Sequence, residues 1–440
     1  MDNVIDLMDQ AAFLELRATG HSTLIQFTWI YDRAIDVDGV RRFRDHLGCG
    51  LLARRIERSP LPFARDRWVV CRQPPTLDIA TKSRARADVG LWADERAQVP
   101  IDPERGPGWH LGLVPLENGG GAVSLVVSHC VADGVAVALA LEDAAKGRAR
   151  DLGYPHPQSR TRTRALLEDT RQTAHDIPAV VHAIFATAAV ARRHRHGVGA
   201  STGSPAREAH GSVAPILPSL TIYLDLVEWD ACAKRRGGTV NSLFGAFAAK
   251  LAERLGRVND GTVTLAIPVS ERTVGDVRAN ALTSLTISVD PTRVTDDLGE
   301  VRAKTKQGLR ALQETPNELL RALPLTPLTP KWLARRLTGL AYGDADLPVG
   351  CSNLGEIDPT INRPDGSDAD YASMRLVKNR AQATIPEPGL GQLFLCSVQL
   401  GGKISINVIA HQPGRETSKH DLQQLITDVL AAFDLSGRIE

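Results

Sequence analysis

The chain predicts an α+β fold built as two lobes, each a mixed sheet with flanking helices. Strand-like and helix-like segments follow one another without the regular βαβ alternation that a doubly wound sheet requires. A length of 440 residues with 43% hydrophobic side chains suffices for more than one core. Between two halves rich in such segments lies a polar connector. Its stretch Gly197-Val198-Gly199-Ala200-Ser201-Thr202-Gly203-Ser204-Pro205 has the Gly/Ser content of a flexible linker. The expected organisation is a lobe over residues 1–146, a connector over 147–209 and a second lobe over 210–440.

In the first lobe an opening helix leads through a polar turn to an apolar strand, His21 to Tyr31. Asp36 to Leu47 reads as a helix, because its apolar residues recur at helical spacing and Asp36 suits the N-cap. Gly108 to Val114 reads as a strand. Gly119 to Gly121 make a turn, and Ala122 to Val127 alternate small and β-branched residues as a strand does. Asp133-Gly134 ends that strand region, and Val135 to Ala145 carry helix formers with no Pro or Gly. Within the connector, Ile177 to Ala191 is apolar but broken by His182, which reads as an amphipathic or largely buried helix; the short basic cluster Arg192 to His196 reads as a solvated helix end.

The second lobe opens with a strand, Leu220 to Leu226. Thr239-Val240-Asn241-Ser242-Leu243-Phe244 starts a helix running to about Leu255, with Gly256 as its stop signal. Thr262 to Ile267 is a strand ending at Pro268-Val269-Ser270-Glu271-Arg272, followed by a strand from Leu282 to Val289 and a helix from Leu298 to Leu312. Leu393 to Leu400 and Ile404 to Ala410 form a hairpin about Gly401-Gly402. A final helix, Ser418 to Phe433, gathers Leu422, Leu425, Ile426, Val429 and Leu430 on one face.

Chemistry concentrates where the Ala122 strand ends. His129 leaves the sheet at a strand terminus, where α/β proteins keep reactive groups. A neutral imidazole in that place removes a proton from a hydroxyl, amine or thiol. Asp133 holds the turn through a charged hydrogen bond. An ordinary strand-end histidine followed by an Asp-Gly turn would leave the same short pattern.

The surroundings favour the chemical reading, because Ser128-His129-Cys130-Val131-Ala132-Asp133-Gly134 resembles the His-His-x-x-x-Asp-Gly motif of the chloramphenicol-acetyltransferase-like acyltransferases. That superfamily includes peptide-synthetase condensation domains, polyketide-associated acyltransferases and wax ester synthase/diacylglycerol acyltransferases. The resemblance makes His129 the general base. Ser128 stands where the family has its first histidine, which is a departure from the pattern. Leu7-Met8-Asp9-Gln10-Ala11-Ala12-Phe13-Leu14 is similar to the opening of the wax ester synthase branch, and Gly108-Trp109-His110-Leu111-Gly112-Leu113-Val114 to the strand preceding its motif. Pro268-Val269-Ser270-Glu271-Arg272 resembles the family element whose arginine pairs with the motif aspartate. The resemblance therefore pairs Arg272 with Asp133 as a structural clamp, with Gly134 completing the motif. Pro348-Val349-Gly350-Cys351-Ser352-Asn353-Leu354-Gly355 resembles the Ser-Asn-Leu-Gly strand-turn of several acyltransferases of this fold. Ser128, Ser352 and Asn353 are thus expected to line a substrate tunnel at the lobe interface or to stabilise an oxyanion, a task that backbone donors also perform.

Composition bounds the rest. A net charge of +1 gives no basic footprint for nucleic acid. Six cysteines, Cys49, Cys71, Cys130, Cys232, Cys351 and Cys396, show neither close pairs nor zinc-type spacing, which suits free thiols in the cytoplasm. Cys130 adjoins the base, but neighbours on a strand face opposite ways, so it is not expected to be the nucleophile. The acidic N-terminus lacks the pattern of a signal peptide, and no apolar run reaches the roughly 18 residues a membrane span needs. Peripheral membrane association through the Ile177 region stays open. No Gly-x-Gly-x-x-Gly, Walker loop or Gly-x-Ser-x-Gly elbow appears, and none of the twelve histidines forms a metal-like pair.

The expectation is an acyltransferase with no bound metal or cofactor, since a thioester is already activated. Coenzyme A or the phosphopantetheine of an acyl or peptidyl carrier protein would bring the donor, and a small alcohol or amine would accept. A monomer is expected, because two lobes in one chain complete the site. Two other readings remain: a free-standing condensation enzyme of the nonribosomal-peptide type with carrier-bound donors, and an inactive homologue that only binds carrier protein or lipid.

Overall fold

A computed structural model describes residues 3–195, 217–314, 318–341, 348–379, 392–411 and 418–440. The elements run α1 (Leu7–Thr19), β1 (Ser22–Tyr31), α2 (Val37–Leu47), β2 (Arg54–Glu57), β3 (Arg67–Val70), β4 (Asp78–Ile79), α3 (Val89–Ala97), β5 (Trp109–Pro115), β6 (Gly121–Ser128), α4 (Gly134–Ala145) and α5 (Arg162–Arg195). Then come β7 (Ser219–Asp225), α6 (Leu226–Arg235), α7 (Val240–Arg254), β8 (Val263–Ser270), β9 (Leu282–Val289), α8 (Gly299–Glu314), α9 (Lys331–Ala341), β10 (Val349–Glu356), β11 (Tyr371–Asn379), β12 (Gln392–Leu400), β13 (Lys403–His411), α10 (Lys419–Ala432) and β14 (Arg438–Ile439).

Two mixed sheets organise the chain, as the α+β pattern predicts. The first has the order β11-β1-β6-β5-β4 and the second β14-β7-β13-β12-β10-β8-β9. All pairs are antiparallel except β4 with β5 and β10 with both β8 and β12. β11 belongs to residues 210–440 in sequence, yet it pairs along β1 from Ser22↔Asn379 to Ile30↔Tyr371 in the first sheet. A strand lent by one half of the chain to the other ties the lobes through backbone hydrogen bonds.

Local chemistry explains the boundaries. Asp36 caps α2 by accepting from Asp38 N, and the buried face is Gly39, Val40, Phe43 and Leu47, three to four residues apart. Thr239 and Ser242 form a capping box at the start of α7. Gly401 and Gly402 take φ of 60° and 72°, a two-residue turn that other residues adopt only with strain, and so join β12 to β13. α1 ends at Gly20 with φ 74°, whose N–H returns to Leu16 O.

Each lobe has its own core. Ile25, Phe27, Trp29 and Tyr31 of β1 pack with Leu111 and Leu125 of the first sheet and with Val40, Val137 and Leu141 from its helices. Trp229, Phe247 and Phe433 stack in series in the second, with centroids 6.2 and 6.4 Å apart. Burial of each such ring stabilises by about 1.5–3 kcal/mol. β12 serves both: Leu393 and Leu395 enter the second core, whereas Cys396, Val398 and Leu400 point the opposite way into the first.

The connector departs from one expectation. α5 is a single helix through Pro178, and Ile177, Val181, Ile184 and Phe185 on it are exposed rather than largely buried. Its other face is held to the body of the protein, with Ala165, Asp169 and Ala183 buried. The 197–205 stretch lies outside the described residues, as do the side chains of Arg192 to His196. Among the described residues, no helix is long and apolar enough to cross a membrane.

Candidate active site

The site is built where β6 ends against a strap from the second half of the chain. Ser128 closes β6, paired with Leu24 of β1, and its fully buried hydroxyl accepts from Cys130 N at 3.3 Å. That contact serves the turn rather than an open space. His129 is partly exposed, and its main chain is fixed at both ends: its N–H donates to Thr23 O at 2.9 Å and its carbonyl accepts from Asn280 Nδ2 at 3.0 Å.

Asp133 is fully buried and uses both carboxylate oxygens. Oδ1 accepts from Ala136 N at 2.7 Å, which makes Asp133 the N-cap of α4. Oδ2 accepts from Ala281 N at 2.8 Å and from Arg272 Nη2 at 2.9 Å. Arg272, just beyond the end of β8, in turn donates to the carbonyls of Asp276, Arg278 and Ala279 at 3.1, 2.9 and 3.2 Å. One guanidinium therefore holds a carboxylate 139 residues away and folds its own following loop. Such a fork is what arginine provides and lysine does not. Both oxygens of Asp133 are engaged by structural donors, the arrangement of a clamp.

Gly134 begins α4 where Leu354 of β10 closes over it; a Cβ there would stand 3.0 Å from Leu354 Cδ1. The second-lobe strand-turn is thus in contact with the motif. Its polar residues are turned to local tasks. Asn353 Oδ1 accepts from Gly355 N and its Nδ2 donates to Asn241 Oδ1, both at 2.8 Å. Ser352 hydrogen-bonds the buried Cys396 thiol.

The electrostatics separate the candidates. Burial pushes the Cys130 thiol up to about 12, with Glu15 and Asp9 adding to the rise, so almost no thiolate exists near neutrality. Glu15 of α1 is pushed upward by burial, against the favourable fields of Lys378, His129 and His21 that face it. All six cysteines are free, and no group of three metal-ligating side chains occurs among the described residues.

Solved structures share this architecture. The first condensation domain of the CDA synthetase aligns with 100% of this chain and 99% of its own at 15% identity, with a TM-score of 0.56. A wax ester synthase/diacylglycerol acyltransferase from Marinobacter aquaeolei VT8 aligns with 98% of both chains at 15% identity and TM-score 0.57. Polyketide synthase associated protein 5 from Mycobacterium tuberculosis aligns with 98% of this chain and 99% of its own at 16% identity and TM-score 0.53. The chain has the chloramphenicol-acetyltransferase-like fold. No protein-family model matches it, and no curated protein matches it in sequence.

The two halves of the chain also meet through residues that sequence reasoning missed. Arg54 is fully buried between them: its Nε and Nη2 donate to Val131 O at 3.1 and 2.7 Å, its Nη1 donates to Val277 O, and its guanidinium lies 4.7 Å from the Trp68 ring. Asp9 accepts from the main chain of Ala279 and Asn280. A lone arginine on a short strand and an aspartate within α1 carry no local signal of these contacts, because their hydrogen-bond partners named above lie more than 70 residues away.

Proposed function

We propose that the protein is an acyltransferase in which His129 is the general base for attack of a hydroxyl or amine on an acyl thioester. The observation that carries this reading is the two-sided anchoring of His129 at the strand end. Asp133 is already consumed by Arg272, Ala281 and Ala136, which leaves the imidazole as the motif's one side chain free to move a proton. His129 takes the acceptor's proton as the new C–O or C–N bond forms at the thioester carbonyl. The tetrahedral intermediate then breaks its C–S bond, and the departing thiolate takes the proton from the imidazolium. General base catalysis of this kind contributes about 100- to 10,000-fold, and holding both substrates between the lobes supplies much of the remainder.

The donor is a thioester of coenzyme A or of a carrier protein, and the reaction needs no resident cofactor. The alignment with a condensation domain over the whole of both chains supports carrier-bound donors as a second form of the same chemistry. The test is mass spectrometry of the purified protein incubated with acyl-coenzyme A and acyl-carrier donors and a panel of alcohols and amines. Acylated acceptor that requires both the thioester and the protein supports the reading. Binding of carrier protein without any transfer or hydrolysis across the panel would support a scaffold instead.

A further inference from the structure

The three consecutive residues Ala279, Asn280 and Ala281 form a strap over the motif. Ala279 N donates to Asp9 Oδ2 at 3.2 Å, and its carbonyl accepts from Asp133 N at 2.8 Å. Asn280 donates to Asp9 Oδ1 twice, from N at 2.8 Å and from Nδ2 at 3.0 Å, and the same Nδ2 reaches His129 O at 3.0 Å. Ala281 N donates to Asp133. Asp9 and Asn280 are both buried. The Asn280 carboxamide cannot rotate away from Asp9 without releasing the His129 carbonyl, and with Thr23 holding the N–H, the two bonds together fix the main chain from which the imidazole projects.

We propose that Asp9 and Asn280 are positioning residues for His129, so that α1 sets the aim of the catalytic base through a buried carboxylate, a carboxamide and a main-chain carbonyl. This rests on His129 being the base. Asp9 works best as a charged acceptor, since a carboxylate accepts all three N–H groups whereas a protonated carboxyl accepts them weakly. Burial pushes Asp9 up to about 6, opposed by Arg54 and by the Asn280 hydrogen bonds and reinforced by Asp6 before α1; the Cys130 thiol also feels its charge. The strap therefore loosens over the mildly acidic range.

The experiment compares wild type, Asp9→Asn, Asn280→Ala and His129→Ala in the full chain, by steady-state transfer kinetics against pH and by NMR of ring-labelled histidine. Asp9→Asn and Asn280→Ala should lower kcat by about 10- to 100-fold, the scale of a misaimed group, with KM within about twofold, the pattern of an interaction used in the transition state. The pH profile of Asp9→Asn should lack the component that titrates with Asp9 near pH 6 and keep the limb that protonation of the base itself produces, and the His129 ring signal should shift in both variants. Wild-type kcat in both folded variants, with an unmoved His129 signal, would overturn the inference. So would losses that track unfolding temperature alone. Full activity in His129→Ala removes the general-base reading, and the NMR arm then still decides whether Asn280 positions the ring.

Discussion

Removing the Arg272 guanidinium is the sharpest structural perturbation the site offers. Arg272→Ala leaves the Asp133 carboxylate buried with two backbone donors, from Ala136 and Ala281, and without a counter-charge. Breaking a buried pair from one side costs about 3–5 kcal/mol, and the two surviving donors place this case at the lower end, about 3 kcal/mol. The loop carbonyls of Asp276, Arg278 and Ala279 lose their shared donor as well. Arg272→Lys keeps the charge but not the fork, so it should recover less than half of the loss. Urea unfolding followed by tryptophan fluorescence reads the stability, and a cycle with Asp133→Asn reads the coupling, expected at about 1–3 kcal/mol. A fall of under about 0.5 kcal/mol for Arg272→Ala, the level of an ordinary surface substitution, would refute the clamp.

Three other outcomes follow from the same geometry. Burial keeps the proton on Asp9 to about pH 6 in the folded chain, against 3.8 for a free carboxyl, so its contribution to stability is greatest below about pH 4 and is lost as pH rises through 6. The difference between wild type and Asp9→Asn in unfolding free energy should therefore change by about 2 kcal/mol between pH 4 and 7, the unfolded carboxyl being already partly ionised at pH 4; a pH-independent difference contradicts it. Cys130→Ala should keep turnover within about threefold, and iodoacetamide should label exposed Cys49 but not Cys130 in the folded protein; loss of turnover equal to that of His129→Ala would make the thiol a participant. Gly108→Ala places a Cβ 2.7 and 2.8 Å from the Val131 methyls, so it should destabilise by about 1–3 kcal/mol and be partly relieved by Val131→Ala. No relief would mean that the two residues do not press on each other.

Much of the fold was legible because its signals are local. The Asp36 and Thr239 caps, the Gly401-Gly402 turn and the alternation in Leu282–Val289 are written within a few residues, and the structure places those elements as the pattern predicts. β11 was not legible. The sequence pattern assigns no element to Tyr371–Asn379, and its value as a strand comes from backbone pairing with β1, some 350 residues earlier. For α5 the sequence leaves an amphipathic and a largely buried helix open, since periodicity reports an apolar stripe without reporting whether anything covers it; the exposed Ile177, Val181, Ile184 and Phe185 exclude the second. At the site, the resemblance led to His129, Asp133 and Arg272 because they sit in recognisable short motifs. Asp9, Arg54 and Asn280 act through long-range hydrogen bonds, mostly to main-chain atoms, which leave no trace in residue spacing. Ser128 was singled out as a departure from the family motif, and the structure places it fully buried with its hydroxyl accepting from Cys130 N.

The most direct test of the account is the ratio of kcat/KM for wild type and His129→Ala with an acyl thioester and an acceptor that the wild type acylates. His129→Ala should unfold at the wild-type temperature, because its main-chain bonds to Thr23 and Asn280 remain, and should lose about 100- to 10,000-fold in kcat/KM. A folded His129→Ala protein that transfers acyl groups at the wild-type rate would contradict the account.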